Sequence, residues 1–133
     1  MAVEYTREVS IGCITLNHPP ANSYDYSFME ELGESIQAAA DDNTARVVIL
    51  RSELDKFFSA GAGVKAFNEN PAEKNMDMIR LAHRSLSRIA EIPKIFIAQI
   101  AATALGGGLE MGLACDLRFG AGGEYYWVSR RRP

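Results

Sequence analysis

Two cysteines, two histidines and one tryptophan in 133 residues leave little room for several kinds of protein. Cys13 and Cys115 stand far apart, in neither a CxxC pair nor a dense framework, and read as two buried free thiols. With His18 and His83 the only histidines, no metal site is expected. No apolar run reaches the roughly 18 residues of a membrane helix, so no membrane partner is expected either. The opening Met1-Ala2-Val3-Glu4-Tyr5 brings an early acid and no apolar core, unlike a signal peptide. A reducing, cytoplasmic setting fits these absences. Positive charge is also scarce: 14 Lys and Arg face 17 Asp and Glu, for a net charge of −3. That excludes a polybasic nucleic-acid arm. Arg130, Arg131 and Arg132 crowd the last four positions, but three arginines without interleaved aromatics on an acidic body do not predict a nucleic-acid partner.

What is present is an ordinary globular composition, 47% hydrophobic and 23% charged, long enough for one domain with a modest core. Val9, Ile11, Cys13 and Thr15 alternate, predicting a strand that His18-Pro19-Pro20 stops. Ser27 and Glu30 have capping-box spacing, and Met29, Leu32, Ile36 and Ala39 then trace one face of a helix ending at Asp41-Asp42-Asn43. Val47–Leu50 reads as a strand buried on both faces. A loop over residues 52–63 and a polar stretch broken by Pro71 follow. Met76, Ile79, Ala82, Leu86 and Ile89 mark a second helix ending near Pro93. Ile95–Ile100 is a second buried strand, followed by a short helix over 109–114 and a last strand over 116–119. Strands alternating with helices predict the α/β class.

Both strong strands run into glycine turns, Gly61-Ala62-Gly63 and Gly106-Gly107-Gly108. Neither matches G-x-x-x-x-G-K-[ST] or G-x-G-x-x-G, so the nucleotide-phosphate motifs are absent. Such turns let backbone N–H groups reach a ligand closely. Two of them, the second opening a helix that carries Glu110, suggest a pair of donors aimed at one oxygen that gains negative charge. The helix dipole would add to that pull.

Phe58-Ser59-Ala60-Gly61-Ala62-Gly63-Val64-Lys65 resembles the S-A-G-A-D-[IV]-K segment of the crotonase superfamily. Ala104-Leu105-Gly106-Gly107-Gly108-Leu109-Glu110 resembles its A-x-G-G-G-x-E segment, and Cys115-Asp116-Leu117-Arg118 its C-D-[LI]-R strand. The likeness covers about residues 5 to 126 and is nearest to the enoyl-CoA hydratase/isomerase members. It implies a spiral of β-β-α units, and in the full-length family a homo-oligomer, trimer or hexamer. It implies catalytic roles for the backbone N–H groups of Ala62 and Gly107, as an oxyanion hole for an acyl-CoA thioester, and for Glu110 as the first of two catalytic glutamates. Coenzyme A would enter as part of the substrate, with no covalently bound cofactor. Ala60, Ala62, Gly63, Val64 and Lys65 match the segment lining its adenine end, and Ala21 and Asn22 a loop near its nucleotide.

The sequence departs from the family pattern at four places. Gly63 stands where the family has Asp, and Ala102-Thr103 replaces Gly plus a polar or aromatic residue. Gly112 sits inside the short helix. After Tyr126 the family continues with L-G-x-P-E and a long C-terminal half, whereas this sequence reads Trp127-Val128-Ser129-Arg130-Arg131-Arg132-Pro133. The expectation is therefore a family domain over 1–126, incomplete at its C-terminus, with a non-family basic tail over 127–133. Without the second glutamate its hydratase chemistry is expected to be impaired. The alternative is a non-catalytic CoA-binding or oligomer-assembly fragment.

Overall fold

The computed structural model describes residues 1–120 and, for the backbone, 126–127; the tail expected at 127–133 lies otherwise outside the described residues. Five strands form the main sheet: β1 (Val3–Glu8), β2 (Ile11–Leu16), β4 (Val47–Ser52), β7 (Ile95–Ile100) and β9 (Leu117–Gly120), side by side in that order. β1 and β2 are an antiparallel hairpin, and every later pairing in this sheet is parallel. A second sheet runs parallel through β5 (Phe57–Ser59), β8 (Thr103–Leu105) and β10 (Tyr126–Trp127). β3 (Ser23–Tyr24) and β6 (Gly61–Ala62) make a two-stranded patch. The helices are α1 (Tyr26–Asp41), α2 (Val64–Glu69), α3 (Ala72–Glu91) and α4 (Gly107–Ala114). The first turn of chain lays β1 and β2 in the main sheet and β3 in the patch before α1; the next two each lay one strand in the main sheet (β4, β7) and one in the second (β5, β8) before crossing back through helix. The expected β-β-α spiral of the α/β class is the observed architecture.

Several local expectations are corrected. Val9 belongs to no strand: it turns the β1–β2 hairpin at φ 56° and is 84% exposed. The Ser27–Glu30 box does not cap α1, because Asp25 does so, its Oδ1 accepting from Phe28 N at 2.7 Å. Met29, Leu32, Ile36 and Ala39 are buried as their spacing predicts. α3 turns a slightly different face inward: Met78, Ala82, Ser85 and Ile89 are buried, while Met76 is exposed. Neither strong strand is sealed on both faces. In β7, Phe96, Ala98 and Ile100 point into the core while Ile95 and Gln99 face outward, and β4 buries only Val48 and Leu50. The stretch 52–63, expected as loop, holds β5 and β6, and α2 precedes Pro71.

One core joins these layers. Phe28, Phe58 and Phe96 are fully buried in it, each stabilising by about 1.5–3 kcal/mol relative to exposure. Parallel register aligns Ile14, Leu50 and Ala98 in a row across β2, β4 and β7. α1 packs on β1, β2 and α3 above that sheet.

A polar knot fastens the end of α1. A Cβ on Gly12 would lie 2.5 Å from the Tyr5 oxygen, so the missing side chain leaves room for the phenol to cross. Tyr5 then donates to Asp42 Oδ2 at 2.9 Å, and Arg7 Nε lies 3.2 Å from the same oxygen. Thr44 donates to Asp42 Oδ1 from both its hydroxyl and its N–H. Lys94 closes the knot on the carbonyls of Ala39 and Asp42.

The Thr44 hydroxyl, with Tyr5, the Thr44 N–H and Arg7 behind it, holds the Asp42 carboxyl at about 2, below its usual 3.8, against an opposing effect of burial second only to that of the Thr44 hydroxyl. A group depressed in the folded state adds stability that is complete above its unfolded pKa and lost as pH falls through the folded one. The melting temperature is therefore expected to drop between about pH 4 and about pH 2. Asp42→Asn should flatten that part of the profile, as read by thermal melts followed by circular dichroism.

Candidate functional site

The two glycine turns meet backbone to backbone. Gly61 has φ +83°, a conformation that L side chains rarely adopt, and a Cβ there would sit 2.8 Å from the Gly107 nitrogen. One on Gly107 would lie 3.5 Å from the Gly61 Cα. Gly108 is closer still to its neighbour: its Cβ would fall 2.1 Å from the Ser59 carbonyl oxygen. Only a bare backbone at Gly61 and Gly108 lets α4 start against β5 and β6.

Gly106, at φ 50°, caps α4, and Gly107 and Gly108 already lie within the helix rather than in a preceding turn. The first intrahelical bond runs from Glu110 N to Gly106 O at 3.0 Å. The N–H groups of Gly107, Gly108 and Leu109 therefore have no acceptor within the helix and stand at the positive end of its dipole. Gly107 is half-buried, and Ala62, across the glycine contact, is exposed. Glu110 is half-buried on the first turn of α4. Ala62, Gly107 and Glu110, 48 residues apart from first to last in the chain, thus share one small region built on Gly61 and Gly107.

The loop before α1 braces this region. Asn22 is fully buried at φ 51°. Its Nδ2 donates to Ser52 Oγ at 2.8 Å and to the Phe58 carbonyl at 2.9 Å, and its Oδ1 accepts from His18 N at 2.7 Å. Every polar atom of that side chain is spent inside the protein, so Asn22 can serve a ligand only by shaping the loop. Ala21 offers its carbonyl to Ala60 N at 2.9 Å, and the Tyr24 carbonyl accepts from Gly63 N at 3.2 Å. Ser59 Oγ donates to the Asn22 carbonyl and accepts from Gly61 N. The segments 21–24 and 59–63 are in this way one hydrogen-bonded unit. Val64 and Lys65 open α2 with Gly63 just before them; their side chains lie outside the described residues. A cavity of about 20 Å³ lies beside Gly63, Tyr24, Phe67 and Met78, room for about one water.

Sequence reasoning missed Tyr24. Its ring is buried and stacked on Phe28, with centroids 5.6 Å apart, and its hydroxyl donates to the Gly107 carbonyl. Burial and the negative charge of Glu110 both push the phenol pKa well up, against a smaller opposing hydrogen bond from Ser59. Nothing local in Ser23-Tyr24-Asp25 announces a contact 83 residues away. The Cys115 thiol, also buried, is pushed up to about 12 by burial and then by Asp116, which makes it a neutral packing group rather than a nucleophile.

Residues 6–125 match the family model described as Enoyl-CoA hydratase/isomerase. A probable enoyl-CoA hydratase of Bacillus subtilis is 36% identical over 123 residues, 90% of this chain and 46% of that protein. The mitochondrial methylglutaconyl-CoA hydratase of Rattus norvegicus is 32% identical over 124 residues, 91% of this chain and 39% of the relative. Among solved structures, an enoyl-CoA hydratase of Geobacillus kaustophilus superposes with TM-score 0.86 at 35% identity, over 90% of this chain and 45% of that one. One from Bacillus anthracis gives TM-score 0.90 at 28% identity, over 97% and 51%. The chain spans less than half the length of these two curated relatives.

The close backbone approach makes a sharp prediction about glycines in α4. Gly108→Ala should lose roughly 1–3 kcal/mol or more, because its methyl meets a backbone carbonyl that has nowhere to go. Gly112→Ala meets only the flexible Cδ1 of Ile100, and it gains roughly 0.8–1 kcal/mol of helix propensity. It should be near neutral or stabilising. Urea denaturation of the two variants separates these outcomes.

Proposed function

The chain belongs to the enoyl-CoA hydratase/isomerase family, and we propose that it binds an acyl-CoA thioester and stabilises the enolate of that thioester with two backbone donors. The observation that carries this reading is the direct contact of the Gly61 and Gly107 backbones with Glu110 one helical turn away. In it, the N–H groups of Ala62 and Gly107 point to the thioester oxygen. When a proton leaves the α-carbon, the electron pair of the broken C–H bond moves to that oxygen, and the two donors hold the charge. Each such donor is worth about 2.7–4 kcal/mol in the transition state. Glu110 receives the proton and can return it to the same carbon. The 60–65 strip and the Ala21-Asn22 loop hold the nucleotide end of coenzyme A, through backbone rather than through the Asn22 side chain.

Hydration asks more, since water must be activated while the α-carbon is protonated. With Glu110 as the one matched carboxylate, we expect slow hydration by this chain and readier exchange of α-protons. The acyl group is set by residues beyond this constellation, and a shared oxyanion hole does not choose among the family's reactions.

A second reading, assembly of a CoA-binding but non-catalytic module, is favoured by β9. Leu117 and Phe119 are 49% and 61% exposed on an outer strand that pairs only with β7 among the described residues. Such a strand invites association.

The test is butyryl-CoA in deuterated water, followed by proton NMR, with size-exclusion chromatography of the same sample. Loss of the α-proton signal is expected, and Glu110→Gln should slow it by about a hundredfold or more while coenzyme A still binds. Binding without any exchange, from a self-associated species, would favour the second reading. Hydration of crotonyl-CoA at the rate of an ordinary enzyme would overturn the expected impairment.

A further inference from the structure

We infer that Tyr24 is a positioning residue, setting the placement of the two backbone donors by bonding to the segments that carry both of them. The inference rests on the enolate-stabilising reading above. Three independent contacts support it. First, the main chain of Tyr24 is the register partner of Ala62 in the parallel β3–β6 pair, and its carbonyl accepts from Gly63 N at 3.2 Å. Second, its hydroxyl donates to the Gly107 carbonyl. Third, its ring edge fills the space beside Gly107, where a Cβ would come within 3.0 Å of Tyr24 Cε2. One residue thus touches Ala62 through its backbone and Gly107 through its side chain.

The geometry around the phenol suits this role. Phe28 stacks on one face of the ring at an interplanar angle of 20°, so the ring cannot tilt without disturbing the buried start of α1. Asp25, the next residue, caps that same helix through Phe28 N. The hydroxyl is therefore anchored from α1, and α4 is anchored from the hydroxyl. A carbonyl inside a helix ordinarily needs no donor beyond the amide four residues on. The additional bond at Gly107 fixes where the first turn of α4 stands relative to β6. The raised pKa keeps the phenol protonated, and so a donor, throughout the range in which the protein is handled. Catalytic geometry is sensitive to displacements of this kind, since a misplacement of about 1 Å far from the chemistry can cost about a hundredfold in rate.

The experiment uses dimethylaminocinnamoyl-CoA, a chromophoric thioester whose absorption moves to longer wavelength when its carbonyl oxygen is polarised by donors. The full 133-residue chain is titrated with it and compared with Tyr24→Phe, which removes the hydroxyl and keeps the ring. The wild-type chain is expected to shift the band. Tyr24→Phe is expected to lose most of that shift while its affinity for free coenzyme A stays within about twofold, because the nucleotide end is held elsewhere. A merely structural role would not separate the two readouts. Should Tyr24→Phe not fold by circular dichroism, Tyr24→Leu, which also lacks the hydroxyl, is read the same way. A folded variant that keeps the full shift overturns the role of Tyr24 and leaves the oxyanion reading intact. A wild-type chain that gives no shift overturns the oxyanion reading itself, and the inference about Tyr24 falls with it.

Discussion

The structure depends on backbone meeting backbone where side chains would ordinarily intervene. Gly108 approaches the Ser59 carbonyl and Gly61 approaches Gly107 more closely than any Cβ would permit. α4 can therefore begin flush against β5 and β6, and its free N–H groups open into the region of Ala62 rather than onto a layer of side chains. Ser59 completes the arrangement by bonding to both Asn22 and Gly61. A tight junction of this sort supplies rigid donors without any charged residue, which fits a chemistry that needs a fixed partial positive charge in place before the negative charge develops.

How much of this was legible in the sequence depends on how local each signal is. The face of α1 could be read because Met29, Leu32, Ile36 and Ala39 repeat within one helix and bury against one sheet. Its cap is not decided locally, because Asp25 and Ser27 offer competing oxygens two residues apart, and only the chain's exit from β3 decides between them. α3 illustrates the same limit: its own period permits Met76 inward, but packing against α1 selects Met78. β1 carries no readable alternation because five of its six residues are not buried, and β3, β5, β6 and β8 are too short to carry a period. The glycine turns stood out by composition, whereas the purpose of each glycine lies in a neighbour from another part of the chain.

The candidate site divides in the same way. Ala62, Gly107 and Glu110 were reachable through short motifs, since each sits in or beside a glycine run that stands out by composition. Asn22 was reachable as a position but not as a role. It lies in the expected loop, yet its amide is committed to Ser52, Phe58 and His18, and it acts as an internal strut. Tyr24 was not reachable at all. A tyrosine in a polar loop is unremarkable until the fold brings Gly107 to it.

The parallel register between β3 and β6 has a consequence for how such a chain can vary. It joins two segments that are neighbours in space, Ser23-Tyr24 and Gly61-Ala62, while α2 and α3 leave and return before α4 arrives. The free energy of closing a flexible excursion grows only logarithmically, by about 0.6 kcal/mol for each doubling of its length. Changes of length in the short connection between α2 and α3, residues 70–71, therefore alter the wall beside Gly63 at small thermodynamic cost while the junction itself stays fixed. Variation in the wall beside Gly63 and constancy of the glycine junction are, in this fold, assigned to different stretches of the same chain.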